Sequence, residues 1–453
     1  IPIPPRPADR SAIHARTSTV EPAPDIPGGS RSTVRKPDFT RRVAVTGLGI
    51  VSPIGSDVDT VWQHLVDGVS GLGHITYWDP APYDCQVSGE VHDFDPAAWM
   101  NFKEVRRTDK NVVLGVAAAK KALAHSGLQV SDANRDEIGV IFGSGGGGSR
   151  LLMENRHTWE TKGARAVSPF YIANMLPDTA SGQIAIETGI RGPNMCIVTA
   201  CSTGTHNIGE AAELIRRGDV VAAVAGSTES PLHELIHIGF SNMRGMGTPR
   251  PGEPEQTISR PFDITRNGFV LGEGAGAVIL EDLELAKARG ATIYAEVTGF
   301  GSAADAWDLI QPVEKGDGVR RALLQALERY DVKPEWIDMI NPHGTSTPLG
   351  DLREAEAFWA VFGDRTPEIP ISATKSLTGH LMGAAGAVEA IFTVLSVHNQ
   401  AVPGVPTFRD PDPEINLNVP RETVRREIRY AISDTIGLGG HNGAVIFKHY
   451  EGD

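Results

Sequence analysis

Cysteine is scarce in this chain: Cys85, Cys196 and Cys201 are the three among 453 residues. The count is odd and no two are spaced as C-x-x-C, so they offer neither a disulfide framework nor a cysteine zinc site. A reducing compartment fits that usage. Basic charge is short as well, 42 Lys and Arg against 56 Asp and Glu, for a net charge of -14. Phosphate binding calls for a basic surface, so nucleic acid is not expected as the main partner. No apolar run approaches the ~18 residues that cross a bilayer, so no membrane span is expected. Glycine, by contrast, is plentiful, with 50 residues. That favours tight turns and close backbone approaches over long helical bundles. The length fits two large domains or about three smaller ones.

Residues 1–40 stand apart. They hold eight of the 31 prolines and little apolar periodicity, which predicts a disordered or extended arm. The arm contains Arg, Ser and Thr, has no secretory apolar core, and does not start with methionine. A cytoplasmic location is expected, or an organelle matrix if the arm is a processed targeting remnant. Folded sequence starts at "RRVAVTGLGIVSP", read as four strand residues running into a glycine-punctuated loop. "KNVVLGVAAAKKALAHSG" (110–127) reads as a helix stopped by Gly127. "EIGVIFGSG" (137–145) and "VVAAVAGSTES" (220–230) read as buried strands. "GPNMCIVTACSTGTHNIGEAAELIRRGD" reads as strand, turn at Ala200–Thr203, and helix to about Arg217. Strands alternating with helices predict an α/β fold. A short echo links "VAVTGLGIVSPIGSD" to "AEVTGFGSAADAWD", and "CSTGTHNIGEAAELI" to "GHLMGAAGAVEAIFTVL". It predicts two similar halves, 41–290 and 291–453.

Cys201 falls at the strand-to-helix turn. There, helix amides and the macrodipole are expected to lower a thiol from ~8.5 toward 7, which would make it a nucleophile; taken alone, the residue reads equally as a buried structural thiol. His343, in "NPHGTSTPLGD", and His380, in "SATKSLTGHLMGAAGAVEA", each sit beside glycine in a small-residue loop. A thiolate that attacks a thioester and two imidazoles that donate to the developing oxyanion form a set suited to acyl-thioester chemistry.

"TACSTG", "NPHGTSTPLGD", "KSLTGHLMGAAGAVEA", "RPFDITRNGFVLGEGAG" and "GLGGHNGAVIF" occur in this order over residues 41–450. Together they resemble the elongating β-ketoacyl-acyl carrier protein synthases, the KAS I/II type with a Cys-His-His site. The resemblance implies a thiolase-like fold, two pseudo-duplicated α/β halves layered α-β-α-β-α, usually as a homodimer, with a heterodimer as the other arrangement. It implies that Cys201 accepts an acyl chain from acyl carrier protein. His343 and His380 then bind the malonyl thioester and promote decarboxylation, and the resulting carbanion attacks the acyl-cysteine. Lys375 and Glu389 match a supporting ion pair, Thr345 and Thr347 match threonines that hold the pantetheine arm, and the Cys201 and Ile436 amides match the oxyanion hole. No cofactor or metal is implied. Thiolases use a second cysteine, initiating synthases carry Cys-His-Asn, and chain-length factors have lost the cysteine; the resemblance runs to none of these. A noncatalytic carrier-binding subunit of a ketosynthase heterodimer is the alternative reading.

The departures bear on substrate. "TIGLGG" places Ile436 and Leu438 where the family usually has phenylalanines, the first of which gates the pocket. Gly146, in "GSGGGGS", replaces a bulky residue near the acyl pocket, and "DAWDLIQP" brings Asp308 and Ile310 in place of histidine and threonine. A remodelled acyl tunnel is one expectation, and drift within ordinary fatty-acid synthesis is the other. "NFKEVRRTDK" offers Lys103, Arg106, Arg107 and Lys110 for docking an acidic carrier. One remaining motif points elsewhere. His233-Glu234-His237 matches the H-E-x-x-H zinc-hydrolase pattern. Its metzincin continuation would need glycine at 240 and histidine at 243, where the chain has Phe240 and Met243. Zinc hydrolysis is therefore a remote alternative.

Overall fold

The computed structural model describes residues 40–250 and 252–452. The extended arm expected over residues 1–40 lies outside them, apart from Thr40. Nine strands form one sheet: β1 (Val43–Val51), β2 (Ile138–Gly143), β3 (Asn194–Met195), β4 (Ala222–Glu229), β5 (Gly274–Asp282), β6 (Ala295–Ala304), β7 (Ile337–Asn341), β8 (Tyr430–Gly437) and β9 (His441–Lys448). Their order is β3-β2-β4-β5-β1-β6-β9-β8-β7. Outward from β1, the chain pairs antiparallel to β5, antiparallel to β4, then parallel to β2 and β3. Outward from β6, it pairs antiparallel to β9, antiparallel to β8, then parallel to β7, with a parallel bridge from Ile340 to Ile371. The same pairing scheme is thus used twice, joined where Val43–Val45 meets Ala295–Val297.

Of the thirteen α-helices among the described residues, six matter below: α1 (Lys110–Ser126), α2 (Thr203–Arg217), α3 (Glu234–Asn242), α4 (Asp317–Glu328), α5 (Pro348–Phe362) and α6 (Ala385–Asn399). α2 and α6 touch each other and strands of both half-sheets. α6 is buried from Ala385 to Val397, as a helix apolar on every side must be. α1 covers β1, β5 and β4 from outside, while α4 covers β6 and β9 and packs on α5. The order of layers is α-β-α-β-α. Val112, Leu114 and Phe142 belong to a core under α1; Ile208, Ile391 and Phe392 to the middle core; Leu323, Phe358 and Ile432 to the core under α4 and α5.

α1 runs where its periodicity predicts. Asp109 caps its first turn by accepting from the Asn111 N–H, and Gly127 closes it in the left-handed region at φ 65°. β1 is longer than predicted, because the strand continues through Gly47 and Gly49 to Val51. These glycines are contact points rather than turn residues. A Cβ on Gly49 would lie 2.0 Å from the Ala118 carbonyl oxygen and 2.5 Å from the Ala122 nitrogen, so α1 seats on bare backbone. Gly49→Ala is therefore expected to lower stability by about 2–3 kcal/mol through overpacking, read as a drop in denaturant midpoint at unchanged m. The strand expected before Cys201 is only the two residues of β3. Among the described residues, no helix is long and apolar enough to cross a membrane.

Candidate active site

Cys201 sits in a single 3-10 turn, Ala200–Ser202, that runs directly into α2. Ala200 takes φ 51°, a conformation costly for a residue with a Cβ, and thereby folds the chain sharply enough to expose the sulfur to the interior. His343 follows β7. Its N–H donates to Glu354 Oε1 at 2.6 Å, and the next N–H, of Gly344, donates to Glu354 Oε2 at 2.8 Å. A buried carboxylate from α5 therefore pins the loop. His380 is held by its own backbone, donating to the Val270 carbonyl at 2.7 Å and accepting from Gly272 at 2.9 Å. The two imidazoles meet edge to face, 5.1 Å between centroids at 86°, and Phe269 closes the far side of His380. The Cys201 sulfur and one nitrogen of each ring lie within 4.8 Å of one another.

The electrostatics differ from the sequence expectation. Burial pushes the Cys201 thiol up to about 11 rather than down; the Leu438 and Cys201 N–H groups and the Lys375 ammonium oppose this without overcoming it. Burial also holds both histidines well below the usual imidazole range, with Lys375 adding to the effect on each. The resting site is thus a thiol facing two neutral imidazoles, each able to donate one N–H. Lys375 Nζ binds Glu389 Oε1 at 2.5 Å with both side chains buried. Burial pushes the Glu389 carboxyl up to about 7 against the pull of that ammonium.

Cys201, His343 and His380 open into a cavity of about 360 Å³, lined also by Phe240, Phe269, Thr345, Thr347, Ile436 and Leu438. The Thr345 and Thr347 hydroxyls lie 3.0 Å apart. A buried nucleophile, two neutral donors and backbone N–H groups around one cavity form an arrangement for acyl transfer.

Residues 40–286 match the family described as "Beta-ketoacyl synthase, N-terminal domain", and residues 294–409 match "Beta-ketoacyl synthase, C-terminal domain". The chain belongs to the beta-ketoacyl synthase family. This ketosynthase is an enzyme of the acyltransferase type with a thiolase-like fold. It is 42% identical over 414 residues to the 3-oxoacyl-[acyl-carrier-protein] synthase 2 of Staphylococcus aureus strain N315, covering 91% of this chain and 99% of that protein. A beta-ketoacyl synthase from Burkholderia phymatum STM815 superposes with a TM-score of 0.84 at 31% identity, covering 91% of this chain and 100% of the other. A type II polyketide synthase acyl-carrier protein in complex with its ketosynthase bound to the hexaketide gives a TM-score of 0.84 at 28% identity, covering 92% and 100%.

The other residues singled out in the sequence are spread in and around this cavity of the ketosynthase. The second amide facing the sulfur belongs to Leu438, not Ile436. Ile436 remains in β8 opposite Asn442, whereas Leu438 lies in the turn beyond the strand end. Gly146 does not line the cavity; its N–H lies on the Glu229 carboxylate. Asp308 and Ile310 do line it, and Asp308 accepts from the Ile310 and Gln311 N–H groups, so its carboxylate shapes its own loop. Lys103, Arg106 and Arg107 are exposed, but Lys110 turns inward to the buried Glu273 at 2.5 Å. His233 stands before α3 in extended backbone, near Ser149, while His237 is buried against Trp78 and Tyr83. Among the described residues, the group of three placed to hold a metal is Cys201, His343 and His380, and the H-E-x-x-H stretch is not part of it.

Sequence reasoning missed the buried acids behind the histidines. Asp351 accepts from the Ser346 and Phe262 N–H groups, and Glu354 holds His343. Their spacing, one helical turn apart after "HGTSTPLGD", was the available signal. Burial raises the carboxyls of both Glu354 and Asp434, the latter on β8 and pushed up to about 7, and the Asp434 charge adds to the rise of Glu354. Nothing local in sequence marks that pair.

Proposed function

We propose that this ketosynthase extends acyl chains carried by acyl carrier protein, by decarboxylative condensation with a malonyl unit. The convergence of Cys201 with two neutral imidazoles carries the reading. Cys201 attacks the acyl thioester, its proton leaves with the carrier thiol, and the acyl group stays on sulfur. The Cys201 and Leu438 N–H groups hold the tetrahedral oxyanion. A malonyl thioester then enters, its carbonyl oxygen accepting from His343 and His380. Carbon dioxide leaves, and the enolate charge falls on that oxygen. The carbanion attacks the acyl carbonyl, the carbon–sulfur bond to Cys201 breaks with its electron pair on sulfur, the sulfur takes up a proton from solvent to restore the thiol, and a 3-oxoacyl thioester departs.

Neutral histidines suit this role, because each donates an N–H to the thioester oxygen without pairing as a cation with the malonyl carboxylate, while the Lys375 ammonium is held by Glu389. Thr345 and Thr347, at the cavity wall, are assigned to the pantetheine arm. Exposed Lys103, Arg106 and Arg107, beside Phe102 at 64% exposure, present a basic and apolar face for an acidic carrier. Ile186, Met195 and Val198 are exposed around the open edge at β3, a surface that supports pairing with a second copy; a related chain is the alternative mate. The halves divide near residue 290, and the location is cytoplasmic.

Reconstitution tests the reading. With acyl-loaded and malonyl-loaded carrier, the protein is expected to release carbon dioxide and form a carrier-bound 3-oxoacyl product, seen by mass. No product from competent carriers and folded protein would favour a noncatalytic subunit. Ile436 leaves room where a phenylalanine would intrude. Ile436→Phe is therefore expected to shift preference toward shorter chains by about tenfold or more, or 1–3 kcal/mol. Unchanged competition between long and short acyl thioesters would remove Ile436 from chain selection.

A further inference from the structure

Glu229 ends β4 and lies buried; it touches no reacting atom in the chemistry above, although its charge adds to the rise of the Cys201 thiol. Its carboxylate nevertheless joins two segments of chain distant in sequence. Oε2 accepts from the Gly145 N–H at 2.7 Å and the Gly383 N–H at 3.1 Å. Oε1 accepts from the Ser144 hydroxyl at 2.8 Å and the Gly146 N–H at 3.1 Å. Gly383 lies three residues beyond His380 and follows Met382, which takes φ 50°. A Cβ on Gly145 would lie 2.8 Å from Glu229, 3.3 Å from the Ala200 carbonyl oxygen and 3.4 Å from the Gly383 Cα. A Cβ on Gly383 would lie 2.4 Å from both Glu229 and the Gly145 nitrogen. The glycine loop and the His380 loop therefore meet on this one side chain, and Gly145 in turn backs onto Ala200 of the Cys201 turn.

We propose that Glu229 is a positioning residue: its carboxylate clips the His380 loop to the glycine loop behind Cys201 and so sets the separation of nucleophile and donor. The assignment rests on Cys201 and His380 working together as described above. Acylation needs the sulfur and its two amides. Condensation needs those and a correctly placed His380. Loss of the clip therefore separates the two steps. Glutamine cannot replace the glutamate: one of its two terminal atoms is an NH₂, which would face either the Gly145 and Gly383 donors or the Ser144 and Gly146 donors. Ser144→Ala removes one donor to Oε1 and weakens the clip without emptying it.

The test measures Cys201 acylation and condensation separately in the full chain, with acyl and malonyl carrier thioesters, for wild type, Glu229→Gln, Ser144→Ala and the double variant. Condensation is expected to fall at least tenfold in Glu229→Gln and about threefold in Ser144→Ala, with acylation unchanged from wild type in Ser144→Ala and within threefold of it in Glu229→Gln. The double variant is expected to be no slower than Glu229→Gln alone, since both changes act on one device. Equal losses in both steps, unchanged condensation, or multiplying losses would overturn the clip. Should Glu229→Gln not fold, the ratio of the two rates in Ser144→Ala decides. A wild type that never acylates Cys201 would instead overturn the proposed function.

Discussion

Cys201→Ala is expected to lower condensation by on the order of 10⁴ or more, the scale of losing a covalent nucleophile. It is also expected to leave malonyl decarboxylation running. The two effects separate because the histidines do not depend on the sulfur for position. His343 is fixed by Glu354, and His380 by the Val270 and Gly272 backbone. Removing the thiol leaves both N–H donors aimed into the cavity. His343→Ala or His380→Ala, by contrast, is expected to cost about 10²–10³ in decarboxylation, the value of one preorganised oxyanion donor. The opposed pattern is measured by carbon dioxide release beside product formation. Equal loss of both activities in Cys201→Ala would contradict independent placement of the histidines.

Lys375→Met is expected to be the most destabilising single change in the site. Both partners of its ion pair are buried, so the variant leaves the Glu389 carboxyl without a counter-charge. Breaking one side of such a pair costs about 3–5 kcal/mol, whereas replacing both partners with apolar residues costs far less. Lys375→Met with Glu389→Leu is accordingly expected to recover most of the lost denaturant midpoint. Chemistry shifts as well. Lys375 helps hold His343 and His380 below the usual imidazole range. Removing its positive charge raises both, so the imidazoles take up a proton at higher pH and stop being neutral donors. The acid limb of decarboxylation then moves upward in pH. A limb that stays in place would show that burial alone keeps these rings neutral.

Much of this was legible in the sequence. The motifs around Cys201, His343 and His380 are local and ordered, and they name the reacting groups without any structure. α1 was legible because a long periodic run with Asp109 and Gly127 at its ends leaves little choice. Other features depend on what lies across the chain. "VTGLG" read as a turn because its glycines look like breakers; they continue β1 because α1 presses on them from 70 residues away in sequence. The Cys201 thiol was read from its helix terminus alone, while the burial that raises it comes from residues distant in sequence that close around the cavity, among them Phe269, His343, His380 and Leu438. Leu438 replaces Ile436 at the sulfur because the strand ends between them, and a boundary of one residue is finer than composition resolves. Lys110 looked like a surface cation because Glu273, its partner, is 163 residues distant. The partnership of Glu354 with Asp434 and the clip at Glu229 were invisible for the same reason.

The most direct test is peptide-mapped mass spectrometry of the wild-type protein after exposure to acyl carrier protein thioesters of several chain lengths, with a chelator present. One acyl group on Cys201 and none on Cys85 or Cys196 is the predicted result. Protein that stays unmodified with every chain, or that carries the acyl group at another residue, would contradict the assignment of Cys201 as the nucleophile of this ketosynthase.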